Sequence, residues 1–473
     1  MDRVPSLTRW LAGTLLALAA CSAPASARGL QDDLDALGRA GGGTFRLPAR
    51  QRVTVADGVV LPRGVTLDLN GGELVAVLTG ANAAGVRMLS DSALRNGTVT
   101  VTSRGSPGTQ AGAHAPVLIG ALYGENPAAD RQSPFEAPSG WVVSGVTLRS
   151  DKLVAAGGIS LGAPGIQVVG GAHDGLIENI TIPSSARMAG GVMLDWGTVG
   201  PIASADIAGS SAAWRAGRGW TTHPHDIVIR GVTIGALTRP AMGEAGSFGV
   251  RLSGVHDVTV SGVRIEQVTE AAFRYTAGDL GFEFAGPADR ARAHRGIVVD
   301  GVAAAKAGAY MVRTDSYADN VGRAGEQGYR PMLEPIAVTD MVVRNVSGAA
   351  SGQGGPGWGV RVDHQRGGTF ADIAVRGFRQ GFVIDEQVYD VELVRPGASD
   401  SVEAAIAVQH PSRPPARIRV TDPRVSGGSE RGRAVIVGRS DDVTVSGPQG
   451  LAIRLTRDAR RATMPTGARI LRD

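Results

Sequence analysis

The chain has 473 residues, 43% hydrophobic, 19% charged and only 4% aromatic, with 68 glycines and a net charge of +4. It is long enough to bury a large core, and its plentiful Val, Ile and Leu and aperiodic glycines exclude a disordered or collagen-like chain. Basic residues are interspersed with acids, which argues against nucleic acid as a partner; Lys152 and Lys306 are the only lysines, so arginine supplies nearly all the positive charge.

Residues 1–27 read as an export signal: Arg3 and Arg9 precede an apolar run from Trp10 to Ala20 that is too short to span a bilayer and ends in small residues. Two cleavage sites compete. Ala25–Ala27 suits ordinary signal peptidase, whereas Leu18–Cys21 resembles the bacterial lipobox, which implies a lipid anchor at Cys21, the single cysteine. The expectation is an exported protein, either periplasmic or an outer-membrane lipoprotein, with free secretion as the alternative. It folds without disulfides.

Leu30–Arg39 is a short amphipathic helix, followed by Gly-Gly-Gly-Thr-Phe, a Leu-Pro and a first strand-rich turn ending at Asn70-Gly71-Gly72. Beyond it the apolar pattern alternates with period two. "AHDGLIENITI" (Ala172–Ile182), "PHDIVIRGVTI" (Pro224–Ile234) and "VHDVTVSGVRI" (Val255–Ile265) each place Asn or Gly five residues after Asp. The same offset joins Asp91 to Asn96, Asp340 to Asn345, Asp372 to Gly377 and Asp442 to Gly447. The recurring His-Asp pair is therefore a repeat element closing a turn at a strand edge, not a catalytic dyad. Copies are spaced irregularly, from 26 residues (Asn70 to Asn96) to 52 (Asn179 to Gly231), which suits a solenoid with loops of variable length.

The N-terminal run and these repeats, over roughly residues 30–450, resemble the pectin-lyase-like superfamily. The resemblance implies an all-β, single-domain right-handed parallel β-helix over 28–473, about ten coils long, with a capping helix and insertions near 197–222, 278–295 and 315–335. The superfamily holds lyases, hydrolases, epimerases and non-enzymatic spikes, so activity must come from the site. The "HPHD" run (His223–Asp226) resembles the Asp-Pro-His motif of alginate epimerases, but His223 replaces the leading Asp.

A second strand recurs ahead of the Asp-Gly one. Its third position carries Met193, Arg251, Arg274, Met311, Arg361 and Val383. The position just past the strand carries Asp195, Ser253, Thr276, Arg313, Asp363, Asp385 and Gln409, with Trp196, His364, Glu386 and His410 one further on. The insertions leave from this edge, and the first brings Trp196, Trp214 and Trp220, suited to stacking on sugar faces. Asp195, Arg313, Asp363, His364 and Asp385 are expected to converge as catalytic residues. Trp196, Arg251, Arg274, Tyr275, Arg361 and Glu386 are expected to bind substrate.

Three readings follow, and cleavage by β-elimination is the one expected, with the other two as alternatives. A lyase acting on an acidic, uronate-containing polysaccharide needs arginines to neutralise the uronate carboxylate and a base, His364 or Tyr275, near the sugar C5. The superfamily's calcium-using lyases imply Ca2+ at carboxylates such as Asp195, Asp363 and Asp385. A glycoside hydrolase needs paired carboxyls, for which Asp363 and Asp385, 22 residues apart, are the candidates with Glu386 nearby; the polygalacturonase signatures are absent. A non-enzymatic glycan-binding solenoid would spread its charges without convergence. The Gly-x-Ser-x-Gly of Gly158–Gly162 and the Gly-x-Gly-x-x-Gly of Gly352–Gly357 open no helix and carry no nucleophile or nucleotide reading.

Overall fold

The computed structural model describes residues 29–105, 113–120, 137–150, 163–184, 188–196, 222–237, 246–279, 282, 285–316, 335–352 and 357–471. The export segment with Cys21, most of the insertions at 197–222 and 315–335 with Trp214 and Trp220, and residues 158–162 lie outside them.

Strands stack in parallel into a right-handed β-helix. Among the described residues one sheet holds 19 strands and a second holds 14, so the solenoid has more coils than the ten expected. Inward positions of successive coils lie in register. Leu194, Leu252, Tyr275, Thr314, Val362, Ile384 and Val408 form one continuous interior row, with each side chain at 0% exposure. Each such aliphatic contributes about 1.5–3 kcal/mol by leaving water.

The helix Leu30–Arg39 closes the first coil. Its first turn carries Asp32 and Asp33 and its last Arg39, matching the helix dipole. Leu34 is fully buried, with Leu30 and Leu37 packed on the core. Gln31 hydrogen-bonds both backbone groups of Val60, donating to the carbonyl at 3.1 Å and accepting from the amide at 2.8 Å. A side chain thus pairs groups that an open sheet edge would expose.

The repeat has a backbone cause. Asp91, Asp174, Asp226, Asp257, Asp340, Asp372 and Asp442 all have φ between 50° and 58°. Five residues on, Asn96, Asn179, Gly231, Gly262, Asn345 and Gly377 are also left-handed, while Gly447 is not. Both corners of the turn need a conformation that Asp, Asn and Gly tolerate best.

The histidines ahead of these aspartates stack. His173 and His225 lie 4.8 Å apart with rings 1° from parallel, and His225 and His256 lie 4.6 Å apart. In the "HPHD" run, His223 is sealed in a fully buried pair with Asp279 at 3.0 Å, and His294 is buried beside it, 5.4 Å from the His223 ring. Burial, then the neighbouring His223 and His256, holds His294 well below the ordinary histidine value. Burial, then His256 and His173, also lowers His225.

Two predictions follow from this packing. A Cβ on Gly175 would lie 2.0 Å from the Trp141 ring, so Gly175→Ala should destabilise the fold by about 1–3 kcal/mol, read by chemical denaturation and tryptophan emission. The unfolded chain protonates its histidines near about pH 6.5 while folded His225 and His294 resist protonation. Their stabilisation is complete above that pH and is lost as pH falls below it. His294→Phe should flatten the fall in denaturation midpoint between neutral and mildly acidic buffer.

Candidate active site

Outward positions of the 14-stranded sheet form two columns. In the first, Met193, Arg251, Arg274, Arg313, Arg361 and Val383 are consecutive partners. Four guanidiniums therefore lie on four successive coils, about 4.8 Å apart. This corrects the sequence alignment by two residues: Arg313 belongs with the arginines, while Met311 is buried. The signal for the true register was present in "FGVR" (Phe248–Arg251), "YMVR" (Tyr310–Arg313) and "WGVR" (Trp358–Arg361), an aromatic three residues before each arginine.

The second column runs Asp195, Ser253, Thr276 and Asp315. It continues through Asp363 and Asp385, whose amides bond to the Thr314 and Val362 carbonyls at 3.0 Å. Asp315, which the sequence reading missed, takes the place given to Arg313. Asp195 is three coil steps from Asp315, roughly 14 Å. It shares the face with Asp363 and Asp385 but does not converge with them or with His364 behind them.

The columns neutralise one another. Arg274 pairs with Glu270 at 2.8 Å and Asp315 at 3.1 Å, and Arg313 pairs with Asp315 at 2.9 Å. Arg361 Nη2 lies 2.7 Å from Asp363 and 3.0 Å from Asp385. Trp358 sits beneath Arg361, whose guanidinium carbon is 4.5 Å from the ring centre, and Tyr310 beneath Arg313 at 5.3 Å. Neither aromatic was expected at the site.

These surroundings separate the carboxyls. Burial pushes Asp195 up to about 6 against the pull of Arg251 and the Ser253 hydroxyl. Burial would raise Asp315 too, but Arg274 and Arg313 outweigh it and hold the group below the ordinary carboxylate value. Asp385 is raised, first by burial and then by Asp363, with Arg361 and His410 opposing.

Other expected residues sit elsewhere. Tyr275 belongs to the interior row, and burial pushes its phenol far up; it cannot reach a groove or serve as a base. Trp196 is 8% exposed and packs at the coil edge against Gly254, so it offers no free ring face. His364 is fully buried, not exposed. Its Nδ1 lies 2.8 Å from Asp363 Oδ1, its Nε2 lies 3.7 Å from Glu386 Oε2, and its amide donates to the Glu386 carbonyl. Glu386 also pairs with Arg413 and lies 3.7 Å from His410 Nε2, tied into the network behind the column.

Asp363, His364 and Glu386 are the one group among the described residues compact enough to hold a metal ion, their ligand atoms lying within 4.8 Å of one another. Calcium takes six to eight oxygens, and two carboxylates beside an imidazole are a poor match. The carboxylates expected for it, Asp195, Asp363 and Asp385, are split, with Arg361 in the cation's place between the last two.

The architecture is the right-handed parallel β-helix that the sequence resemblance implies. Among solved structures, the chain is similar to the A-module of the Azotobacter vinelandii mannuronan C-5 epimerase AlgE6, at 12% identity and a TM-score of 0.49, covering 93% of this chain and 94% of that one. It is similar to the Yersinia enterocolitica family 28 exopolygalacturonase at 11% identity and a TM-score of 0.46, covering 86% and 71%. The tailspike protein of E. coli bacteriophage HK620, seen with a pentasaccharide, gives 11% and 0.45, covering 93% and 76%. No family model and no curated protein matches the sequence. Likenesses at this level carry nothing about the site, and the fold stands on the chain's own strand pairings.

Arg361 binds the two carboxylates from one position. Arg361→Met should leave Asp363 and Asp385 facing each other uncompensated and cost about 3–5 kcal/mol. Denaturation at neutral pH reads the loss, and lowering the pH toward the carboxylate range should narrow the gap to wild type.

Proposed function

We propose that the chain is an exported polysaccharide-active enzyme that cleaves glycosidic bonds with a pair of carboxyls, Asp363 and Asp385. One observation carries the reading: two carboxyls on neighbouring coils share Arg361, and burial raises Asp385. A carboxyl raised by its surroundings is suited to act as a general acid. Asp385, partly exposed, donates its proton to the departing glycosidic oxygen. Asp363, buried behind this position, ion-paired to Arg361 at one oxygen and bonded to His364 at the other, stabilises through space the positive charge that develops at the anomeric carbon. One coil spacing, about 4.8 Å, is close to the about 5–5.5 Å of enzymes that retain anomeric configuration. β-Elimination loses support because Tyr275 is interior and His364 sealed, leaving neither proposed base at the groove. Arg251, Arg274 and Arg313 extend the binding face along the coils. Residues 1–27 direct export, and Cys21, if it becomes the first mature residue, carries a lipid anchor; both rest on the sequence of that segment alone.

Asp385→Asn and Asp363→Asn should each cut turnover by at least about a hundredfold, the lower scale of acid–base catalysis. Wild-type activity should fall as pH rises and Asp385 loses its proton. Polysaccharide panels read for reducing ends and for unsaturated-sugar absorbance check both points. Near-normal activity in Asp385→Asn, or products bearing a double bond, would sink the hydrolytic reading.

A further inference from the structure

The arginine column invites a polyanion, but its charges are already spent within the protein. Each guanidinium has a carboxyl beside it: Asp195 for Arg251, Glu270 and Asp315 for Arg274, Asp315 for Arg313, and Asp363 with Asp385 for Arg361. Asp315, Glu270 and Asp363 side chains are 5%, 6% and 1% exposed. A uronate carboxylate could win an arginine only by displacing one of these buried carboxylates, leaving it uncompensated out of water. Five carboxyls, Asp195, Glu270, Asp315, Asp363 and Asp385, face the four guanidiniums, so no arginine is left in excess.

What remains at the surface is a row of half-buried guanidinium edges over the rings of Tyr310 and Trp358. Alternating donors and acceptors with no excess positive charge suit sugar hydroxyls, which both give and take hydrogen bonds. We propose that this face binds a neutral, hydroxyl-rich polysaccharide and rejects polyuronates. The inference rests on the glycan-cleaving reading above and narrows its substrate class, replacing the acidic polymer expected from the arginine count.

The test uses the full chain with Asp385→Asn, to slow cleavage, in affinity electrophoresis through gels holding a β-glucan, a galactomannan, a xylan, polygalacturonate or alginate. At least one neutral polymer should retard it at least about tenfold more strongly than either polyuronate. That retardation should change by less than about twofold between low and high salt, because no net charge is being screened. Stronger retardation by a polyuronate, weakening with salt, would overturn the inference and leave carboxyl-pair cleavage standing. Retardation by none of the five polymers, with no reducing ends released by wild type, would remove both. A second variant tests the cause. Asp315→Asn releases Arg274 and Arg313 from their shared carboxylate and should gain at least about tenfold in polyuronate retardation at low salt. Its thermal melt shows whether it folds; if it does not, Glu270→Gln, which releases Arg274 alone, takes its place. A folded variant with no gain means that ion pairing is not what excludes polyuronates, and the inference falls.

Discussion

Parallel register between coils is the constraint on which the rest depends. Backbone hydrogen bonds set neighbouring strands about 4.8 Å apart, and each residue then meets its equivalent one coil on. Inward, this stacks Leu194, Leu252 and Val362 into a continuous core row. Outward, it would stack like charges: four arginines in line, and aspartates beside them. Such columns persist because they lie next to one another. Arg274, Arg313 and Arg361 each reach a carboxylate on their own or an adjoining coil, so the repulsion along a column is offset by attraction between columns.

The same lattice limits what a site can be. Side chains that act on one bond must come from adjoining coils, which Asp363 and Asp385 do and Asp195 does not. A residue of the wrong parity cannot take part however close it lies in sequence. Tyr275 adjoins Arg274 and Thr276 yet points into the core. His364 lies one residue past Asp363, where the chain turns at φ 44°, and its ring is carried behind the column toward Glu386. There it supports Asp363 instead of facing a ligand.

Much of this was legible in the sequence. Alternation and the five-residue Asp-to-Asn/Gly offset led to the solenoid, and the residues at that offset, Gly447 excepted, do adopt left-handed turns. The outward columns were found with most of their members. Three things escaped. Register along Ala309–Ser316 was misplaced by two residues because small residues at strand starts are poor landmarks, whereas the aromatic three before Arg251, Arg313 and Arg361 was the better one. Burial of His364 and Trp196 depends on the path of the chain after the strand, which alternation does not encode. Charge balance was invisible because Glu270 and Asp315 bind arginines through space, and a count of cations on one strand position omits the carboxylates on the next.

The arginine and aspartate columns also behave as a graduated ruler. Their length can grow or shrink only by whole coils, because part of a coil would flip every side chain on one face. Gain or loss of one coil between Asp195 and Asp385 would move these carboxyls apart or together by a single increment of about 4.8 Å, and pairs made within one coil, such as Arg361–Asp363, can survive it. A face of this kind can be lengthened or shortened in discrete steps, with no change at Asp363 and Asp385.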